Sequence, residues 1–299
     1  MQTNAPPLNF TSKKQGFTLV ELSIVLVIIG LLVGGVLVGR DLIEAGKIRA
    51  QITQIETIET EINTFKLKYN CLPGDCQNAT DLFGTTSPSG KTIYNGDGNG
   101  NINNPAADSK ECLWGSGIEG ELTQIFLHIY LSGIGKDFTV GDNAGPSRVG
   151  VEYPYAKFGN GSGVIVSCLG TTQIGYWQYI TPAPFRNGNF IVVGVANYDV
   201  GAGAGVMFST GQGSVGNAWN YGSFGGNGPD ATAIGIPANA ARIIDEKIDD
   251  GKPSTGKFGI IAGQTACDNA NKSRLQQALL TAYPAPSVSC NATVGKKIN

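Results

Sequence analysis

The strongest pattern in the chain is a long apolar stretch near its N-terminus. Residues 17–39 contain a single charged side chain, Glu21, and no proline. As an α-helix this stretch would be about 34 Å long, which is enough to cross the hydrocarbon core of a membrane. Lys13 and Lys14 precede it and Arg40 follows it. The short basic segment in front favours an orientation with the N-terminus inside and the rest of the chain exported.

The helical pattern continues beyond the apolar stretch but becomes amphipathic. Isoleucines recur at spacings of three and four from Ile48 to Ile62, with charged residues between them. Pro73 and Gly74 then end helical propagation, so one helix is predicted from residue 17 to about residue 69. In an isolated subunit the apolar half of this helix has no partner except lipid, which favours self-association outside the membrane.

From residue 71 onward, short apolar runs alternate with segments rich in glycine, asparagine and serine, which is typical of strands joined by loops. Two amphipathic stretches, 119–132 and 238–250, predict helices among them. The predicted fold class is α+β, with the long N-terminal helix packed on an antiparallel-sheet globular domain. Strands are predicted at 150–158, 163–169, 172–180, 189–197 and 257–262, and glycine-rich loops at 84–106 and 199–228.

Composition and charge narrow the possible functions. Only 15% of residues are charged, and 21 basic against 23 acidic residues give a net charge of −2, so no nucleic acid is expected as a partner. The single histidine, His128, lies on an apolar helix face and is predicted to be a core or boundary residue rather than a catalytic one. The sequence has no nucleophile elbow, metal quartet or phosphate loop, so an exported, membrane-anchored enzyme is the least supported class.

The cysteines predict an oxidising compartment. All six lie after residue 70, and an even number suits three disulfides, although the sequence leaves the connectivity open. We predict Cys71–Cys76, which would close a Leu-Pro-Gly-Asp turn after the long helix, and Cys267–Cys290, which would close a C-terminal loop. Cys112 and Cys168 remain. Thiolate ligation of a metal is less favoured because no C-x-x-C pair occurs.

One loop has the donor spacing of a calcium site. In residues 95–102, oxygen donors stand at positions 1, 3 and 5, glycine at position 6 and an apolar residue at position 8, as in EF-hand-type loops. Position 12 would be Ala106 instead of a bidentate glutamate, so Asp108 or Glu111 would have to complete the shell. Calcium is the candidate cofactor, and an ordinary asparagine–glycine turn is the alternative. The candidate ligands are Asn95, Asp97, Asn99 and Asn101.

Residues 13–21 resemble a known processing site. The sequence Lys-Lys-Gln-Gly-Phe-Thr-Leu-Val-Glu is similar to the type III leader site of type IV prepilins and type II secretion pseudopilins. The resemblance implies cleavage between Gly16 and Phe17 by a prepilin peptidase of the inner membrane and N-methylation of Phe17. It also implies that Glu21 pairs with the N-terminus of an adjacent subunit. An ordinary membrane anchor and a secretory signal peptide are the alternatives, but the apolar stretch is too long for a signal peptide and no A-x-A-like site follows it.

The same resemblance implies a pilin-like fold and a structural function. The chain would comprise a leader peptide (1–16), a transmembrane or filament-core helix (17–39), an amphipathic continuation (40–70) and a globular domain (71–299). We expect a minor or accessory subunit of a type IV pilus or type II secretion pseudopilus. The alternative is a pilus-associated adhesin or competence pilin that binds host, sugar or DNA through its loops. Expected partners are other subunits, the peptidase and the bacterial inner membrane, with the globular domain in the periplasm or outside the cell.

Overall fold

Helices and strands form the predicted α+β fold. The computed structural model describes residues 16–102, 121–135, 149–150, 152–159, 162–169, 188–198, 205–208, 236–252, 255–263 and 291–298. The helices within these residues are α1 (Leu19–Tyr69), α2 (Ala79–Phe83), α3 (Glu121–Leu131) and α4 (Ala238–Ile248). The strands are β1 (Gly163–Leu169), β2 (Gly188–Tyr198), β3 (Gly205–Phe208), β4 (Ile236–Pro237), β5 (Phe258–Gly263) and β6 (Asn291–Lys297).

Helix α1 is continuous over 51 residues. It ends where Asn70 adopts a left-handed conformation with φ 56° and donates its N–H to the Lys66 carbonyl over 2.9 Å. Lys66 and Lys68 lie in the last turn, where positive charge is favourable. The helix passes from its apolar part into its amphipathic part without interruption, so the change near residue 40 is one of composition and not of secondary structure.

The chain divides into two compact units, Met1–Gly46 and Lys47–Asn299. In the first unit, every large hydrophobic side chain from Phe17 to Ile43 is at least 50% exposed. Among the described residues, α1 is the one helix that is long and apolar enough to cross a membrane. The second unit holds the hydrophobic core. The buried face of α1 contributes to it Ile48, Ile55, Ile58, Ile62 and Phe65.

The sheet of the second unit has six described strands, and every pair is antiparallel. Strand β2 is central: it pairs with β1 from Val195 opposite Gly163 to Gly188 opposite Leu169, and also with β6 and β3. Residues 190–193 of β2 are all fully buried. Their uninterrupted apolar sequence therefore reflects a strand that is covered on both faces. Strand β6 extends the sheet to β4 and β5.

The prediction of a strand at 150–158 is wrong in its described residues, where only isolated bridges form. The cause lies in two glutamines of α1. Gln54 accepts a hydrogen bond from Lys157 N–H over 3.0 Å and donates to the Tyr155 carbonyl over 2.8 Å. Gln51 accepts a hydrogen bond from Phe158 N–H over 3.0 Å. Backbone groups that a strand would use for its ladder are therefore bound to side chains.

Most other predicted elements are confirmed. The predicted helices correspond to α3 and α4, and three predicted strands correspond to β1, β2 and β5. The strand predicted at 172–180 lies outside the described residues. The predicted loop 199–228 contains β3, and β4 and β6 were not predicted. Strand β6 carries two lysines and an asparagine, so its strand conformation follows from pairing with neighbours on both edges rather than from its own apolar pattern.

Candidate functional site

The residues at the predicted cleavage site precede the first helix. Gly16, Phe17 and Thr18 are not helical, and α1 begins at Leu19. The Phe17 side chain is 89% exposed. A Cβ atom added to Gly16 would meet no atom within 4 Å. Packing within the described chain therefore does not require glycine at position 16, and a requirement for it must come from another molecule.

Thr18 and Glu21 form a capping box at the start of α1. The Thr18 hydroxyl accepts a hydrogen bond from Glu21 N–H over 3.3 Å. In return, the Glu21 carboxylate accepts from the N–H and from the hydroxyl of Thr18, both over 2.8 Å. This reciprocal arrangement satisfies backbone N–H groups that have no partner within a helix. The sequence analysis missed Thr18, although its signal, threonine three residues before glutamate and ahead of an apolar run, is present in the sequence.

The predicted disulfide between Cys71 and Cys76 is confirmed, with Cα atoms 5.3 Å apart. It closes the cysteine turn (71–76), which follows α1 directly. Gly74 has φ +92°, and a Cβ atom there would lie 2.5 Å from the Glu121 carbonyl oxygen of α3. Glycine is required at this position because a side chain would both strain the backbone and displace α3.

A loop wraps around Asp75, the acidic residue of the cysteine turn. This asparagine loop (95–101) donates Gly98 N–H and Asn99 N–H to Asp75 Oδ1, over 2.7 and 3.1 Å, and Gly100 N–H to Asp75 Oδ2 over 2.8 Å. Asp75 is buried. Burial raises the pKa of its carboxyl above the ordinary value, against the lowering effect of the hydrogen bonds from Gly100 and Gly98. The carboxylate therefore organises the loop from inside.

The side chains of the predicted calcium ligands make hydrogen bonds within the loop and to α2. Asn95 Oδ1 accepts from the N–H and hydroxyl of Thr80, over 2.8 and 3.1 Å. Asn99 Oδ1 accepts a hydrogen bond from Asn101 N–H over 2.7 Å. The Asp97 carboxylate accepts hydrogen bonds from the backbone N–H and from the side-chain amide of Asn99. These side chains thus stabilise the loop itself, as in the alternative of an asparagine–glycine turn. Ala106, Asp108 and Glu111, proposed for the end of the shell, lie outside the described residues.

The structure instead brings Asp97 together with two carboxylates that the sequence did not connect to it. Asp75, Asp97 and Glu121 each have a carboxylate oxygen within 4.8 Å of the others, and we call them the acidic group. Asp97 N–H also donates to Glu121 Oε1 over 2.9 Å. Carboxylate oxygens at this spacing are donors that suit a hard cation such as Ca²⁺. Calcium binding stays a prediction.

Other carboxylates gather at the end of α4, where Asp245, Asp249 and Asp250 also approach within 4.8 Å. Asp249 accepts hydrogen bonds from the backbone N–H groups of Lys257 and Phe258. Asp250 accepts from the Thr255 hydroxyl, and this hydrogen bond lowers the pKa of its carboxyl. These two side chains hold residues 255–258, at the start of β5, close to the end of α4.

His128 is a core residue, as predicted. Its side chain is fully buried, and its Nδ1 accepts a hydrogen bond from Gly74 N–H over 3.0 Å. The ring stacks on Phe65 and lies 5.6 Å from the Phe83 ring, centroid to centroid. Burial lowers the pKa of His128 to about 4. The imidazole is therefore neutral at pH 7 and fixes the cysteine turn against α3.

The remaining cysteines are only partly described. Cys168 on β1 is disulfide-bonded, and since Cys71 and Cys76 pair with each other, its partner lies outside the described residues. Cys112, Cys267 and Cys290 lie there too, so the predicted Cys267–Cys290 bond stays a prediction.

The comparison with known families concerns the N-terminus. A family model described as the prokaryotic N-terminal methylation motif matches residues 11–37, which include Gly16, Phe17 and the capping box. No curated protein and no solved structure matches the chain. The motif implies processing by a prepilin peptidase and assembly with other pilin subunits. The chain therefore carries a prepilin-type motif, like that of type IV pilin and pseudopilin precursors, at the start of one long apolar helix.

Proposed function

We propose that this protein is a minor or accessory structural subunit of a type IV pilus or a type II secretion pseudopilus. In this proposal the precursor is cut between Gly16 and Phe17, methylated at Phe17 and polymerised through the apolar half of α1. One observation carries the proposal: directly behind the matched motif, every large hydrophobic side chain from Phe17 to Ile43 is at least 50% exposed. Burying one such side chain contributes ~1.5–3 kcal/mol, so a set of this size needs lipid before assembly and neighbouring helices after it.

The position of Glu21 supports assembly rather than simple anchoring. A carboxylate within a membrane-spanning helix costs about 2.5–3.5 kcal/mol near the bilayer centre and less near an end, so a plain anchor gains nothing from it. Cleavage before Phe17 would create an amine that can pair with an exposed carboxylate of another subunit. In the single chain Glu21 is exposed and both hydrogen bonds from Thr18 end on Oε2. Since a carboxylate has two oxygens, an amine can bind Oε1 while the capping box persists.

The second unit supports export. Cys71 and Cys76 form a disulfide and Cys168 is also disulfide-bonded. Disulfides persist in the periplasm and outside the cell and are rare in the cytoplasm. With the basic residues before α1 on the inner side, this supports the proposal that the globular unit lies beyond the inner membrane.

The experiment is an intact mass, without reduction, of protein recovered from its own cell envelope, with sequencing of the N-terminal peptide. We expect a chain that starts at Phe17, is heavier by one methyl group and is lighter by six hydrogens, one for each cysteine. The control is Gly16→Leu, which should retain the full leader. Since nothing in the described chain opposes a side chain at this position, the loss of cleavage would reflect recognition by the peptidase and not misfolding. A wild-type chain that starts at Met1, or normal processing of the control, contradicts the proposal.

The minor role is tested by stoichiometry. The globular region 71–299 exceeds what a compact major subunit needs, so we expect the protein at a small fraction of the main subunit in sheared filaments, measured by quantitative mass spectrometry. A protein that stays in the envelope while filaments are sheared off indicates a pseudopilus. An equal or larger amount than any other subunit contradicts a minor role. The alternative of an adhesin or competence pilin stays a prediction, because most of the glycine-rich stretch 199–228 lies outside the described residues.

A further inference from the structure

The capping box determines where the helix begins relative to the bond that the proposed function would cut. The first backbone hydrogen bond of α1 runs from Leu22 N–H to the Thr18 carbonyl, over 3.2 Å. The scissile carbonyl, that of Gly16, lies two residues before this point, in the non-helical segment. We propose that Thr18 is a positioning residue for processing: its side chain fixes the start of α1 so that the Gly16–Phe17 bond stays extended and available. This inference rests on the proposed function.

The argument begins with the backbone of the substrate. A peptidase that binds a linear segment makes hydrogen bonds to its N–H and C=O groups, as in strand addition. Groups within a helix are already bonded to one another and offer few such partners. If α1 extended one turn upstream, it would engage the Gly16 and Phe17 carbonyls. If it began one turn later, the distance from the scissile bond to the rigid helix would change.

Thr18 opposes both displacements. Its hydroxyl accepts from Glu21 N–H only while Thr18 itself stays outside the helix, because an N-cap residue has non-helical backbone angles. The Glu21 carboxylate, in turn, accepts a hydrogen bond from Thr18 N–H, and this hydrogen bond would be lost if the first turn of α1 frayed. Each half of the box therefore stabilises the same boundary. Phe17 is left exposed, next to the bond.

The chemical step is hydrolysis. Water adds across the amide between Gly16 and Phe17: the C–N bond breaks, the new C–O bond leaves a carboxylate on Gly16, and Phe17 keeps the amine. Thr18 contributes no atom to this step. Its contribution is to the geometry in which the bond is presented, so it should act on kcat/KM through its ability to cap and not through its size.

The test uses the full-length precursor in detergent with a purified prepilin peptidase and measures kcat and KM. Thr18→Val removes the hydroxyl at nearly constant shape, and we expect kcat/KM to fall about fivefold, which corresponds to the ~1 kcal/mol of a typical cap. Thr18→Ser and Thr18→Asn retain a capping oxygen and should keep the wild-type value. The matched control is Ser23→Ala, since the Ser23 hydroxyl donates to the Val20 carbonyl over 2.9 Å in the same turn without capping it. It should not change the rate.

The outcomes separate the two proposals. Wild-type cleavage of Thr18→Val, or an equal loss in Thr18→Ser and Thr18→Asn, overturns the positioning role and leaves the proposed function intact. Failure of the wild-type precursor to be cut between Gly16 and Phe17 overturns the proposed function itself. Glu21→Gln keeps an acceptor for Thr18 N–H without the charge, and we expect its cleavage to remain at the wild-type rate. A fivefold loss in Glu21→Gln would mean that charge, and not the cap, is what the peptidase senses.

Discussion

Glycines around the cysteine turn allow three segments to approach one another. A Cβ atom on Gly96 would lie 2.3 Å from the backbone carbon of Asp75, and one on Gly74 would lie 2.5 Å from the Glu121 carbonyl oxygen. Contacts this short are possible only without a side chain. The asparagine loop and α3 can therefore both reach the backbone of the turn, which is how Asp75 comes to lie next to Glu121.

His128 gives the second unit a pH dependence that can be measured. Its pKa is about 4 in the folded chain, against an ordinary 6.5, so the folded state disfavours the proton. The stabilisation is fully present above pH 6.5 and is lost as the pH falls through about 4; over this window it amounts to at most about 3 kcal/mol. A proton on Nδ1 would also face the Gly74 N–H donor. We expect the urea midpoint of the mature protein to fall steeply over this range.

The control for this prediction is His128→Gln, which can still accept from Gly74 but does not titrate. The urea midpoint of this variant should change less between pH 6.5 and pH 4 than that of the wild type. Asp75 titrates in the opposite sense: burial raises its pKa, so stability that is present below the ordinary value is lost as the pH rises through the raised one. Because Asp75 is present in both proteins, its effect cancels in the difference. Identical slopes in the two proteins would show that His128 is not the group responsible.

At the scale of elements, two ion pairs join segments that lie far apart in the sequence. Lys91 pairs with the buried Glu152 over 2.9 Å, and Lys296 of β6 pairs with Glu59 of α1 over 2.6 Å. The Cys71–Cys76 bond adds about 2 kcal/mol in the chain-entropy account of a short loop. The loop that contains Lys91 and the cysteine turn are therefore fixed without regular secondary structure of their own.

The calcium prediction is tested at this scale, because the acidic group joins the cysteine turn, the asparagine loop and α3. If the group binds Ca²⁺, the thermal midpoint of the mature protein should rise in millimolar CaCl₂ and fall again in excess chelator, since a ligand that binds only the folded state stabilises it. Asp97→Asn should abolish the rise. The matched control is Asp250→Asn, a change at an exposed aspartate of the other carboxylate cluster, which should respond like the wild type. Equal midpoints in calcium and chelator would contradict the prediction.

Sequence patterns predicted elements that depend on their own residues and missed those that depend on partners. The periodicity of α1, the apolar helix of His128 and the cysteine turn were all predicted from local residues. Strand β6 and the failed strand at 150–158 depend on what lies beside them: strands β2 and β5 in one case, Gln51 and Gln54 in the other. Asp97 was identified as a candidate ligand. Its neighbours Asp75 and Glu121 could not be, because only the folded turn brings them together.

At the scale of the whole molecule, the two units have opposite surface chemistry. Among the described residues, the second unit buries most of its large apolar side chains in one cluster, whereas the first exposes its own from Phe17 to Ile43. A soluble monomer would not tolerate such a surface. The proposed sequence of states, membrane first and filament afterwards, gives the first unit an apolar environment at each stage, and the second unit remains folded throughout.

Glu21 is where assembly of the whole molecule can be separated from insertion. Glu21→Val should insert normally, because it makes the apolar stretch more apolar, but it removes the acceptor for a neighbouring amine. We expect its amount in sheared filaments to fall at least about tenfold relative to the amount of its cleaved form in the membrane, the change that ~1.4 kcal/mol produces. Asp41→Asn, which removes a carboxylate just beyond the apolar stretch, serves as the control and should assemble normally. Wild-type incorporation of Glu21→Val would show that burial of the apolar half of α1 is sufficient for polymerisation, and that the acid at position 21 serves only the capping box.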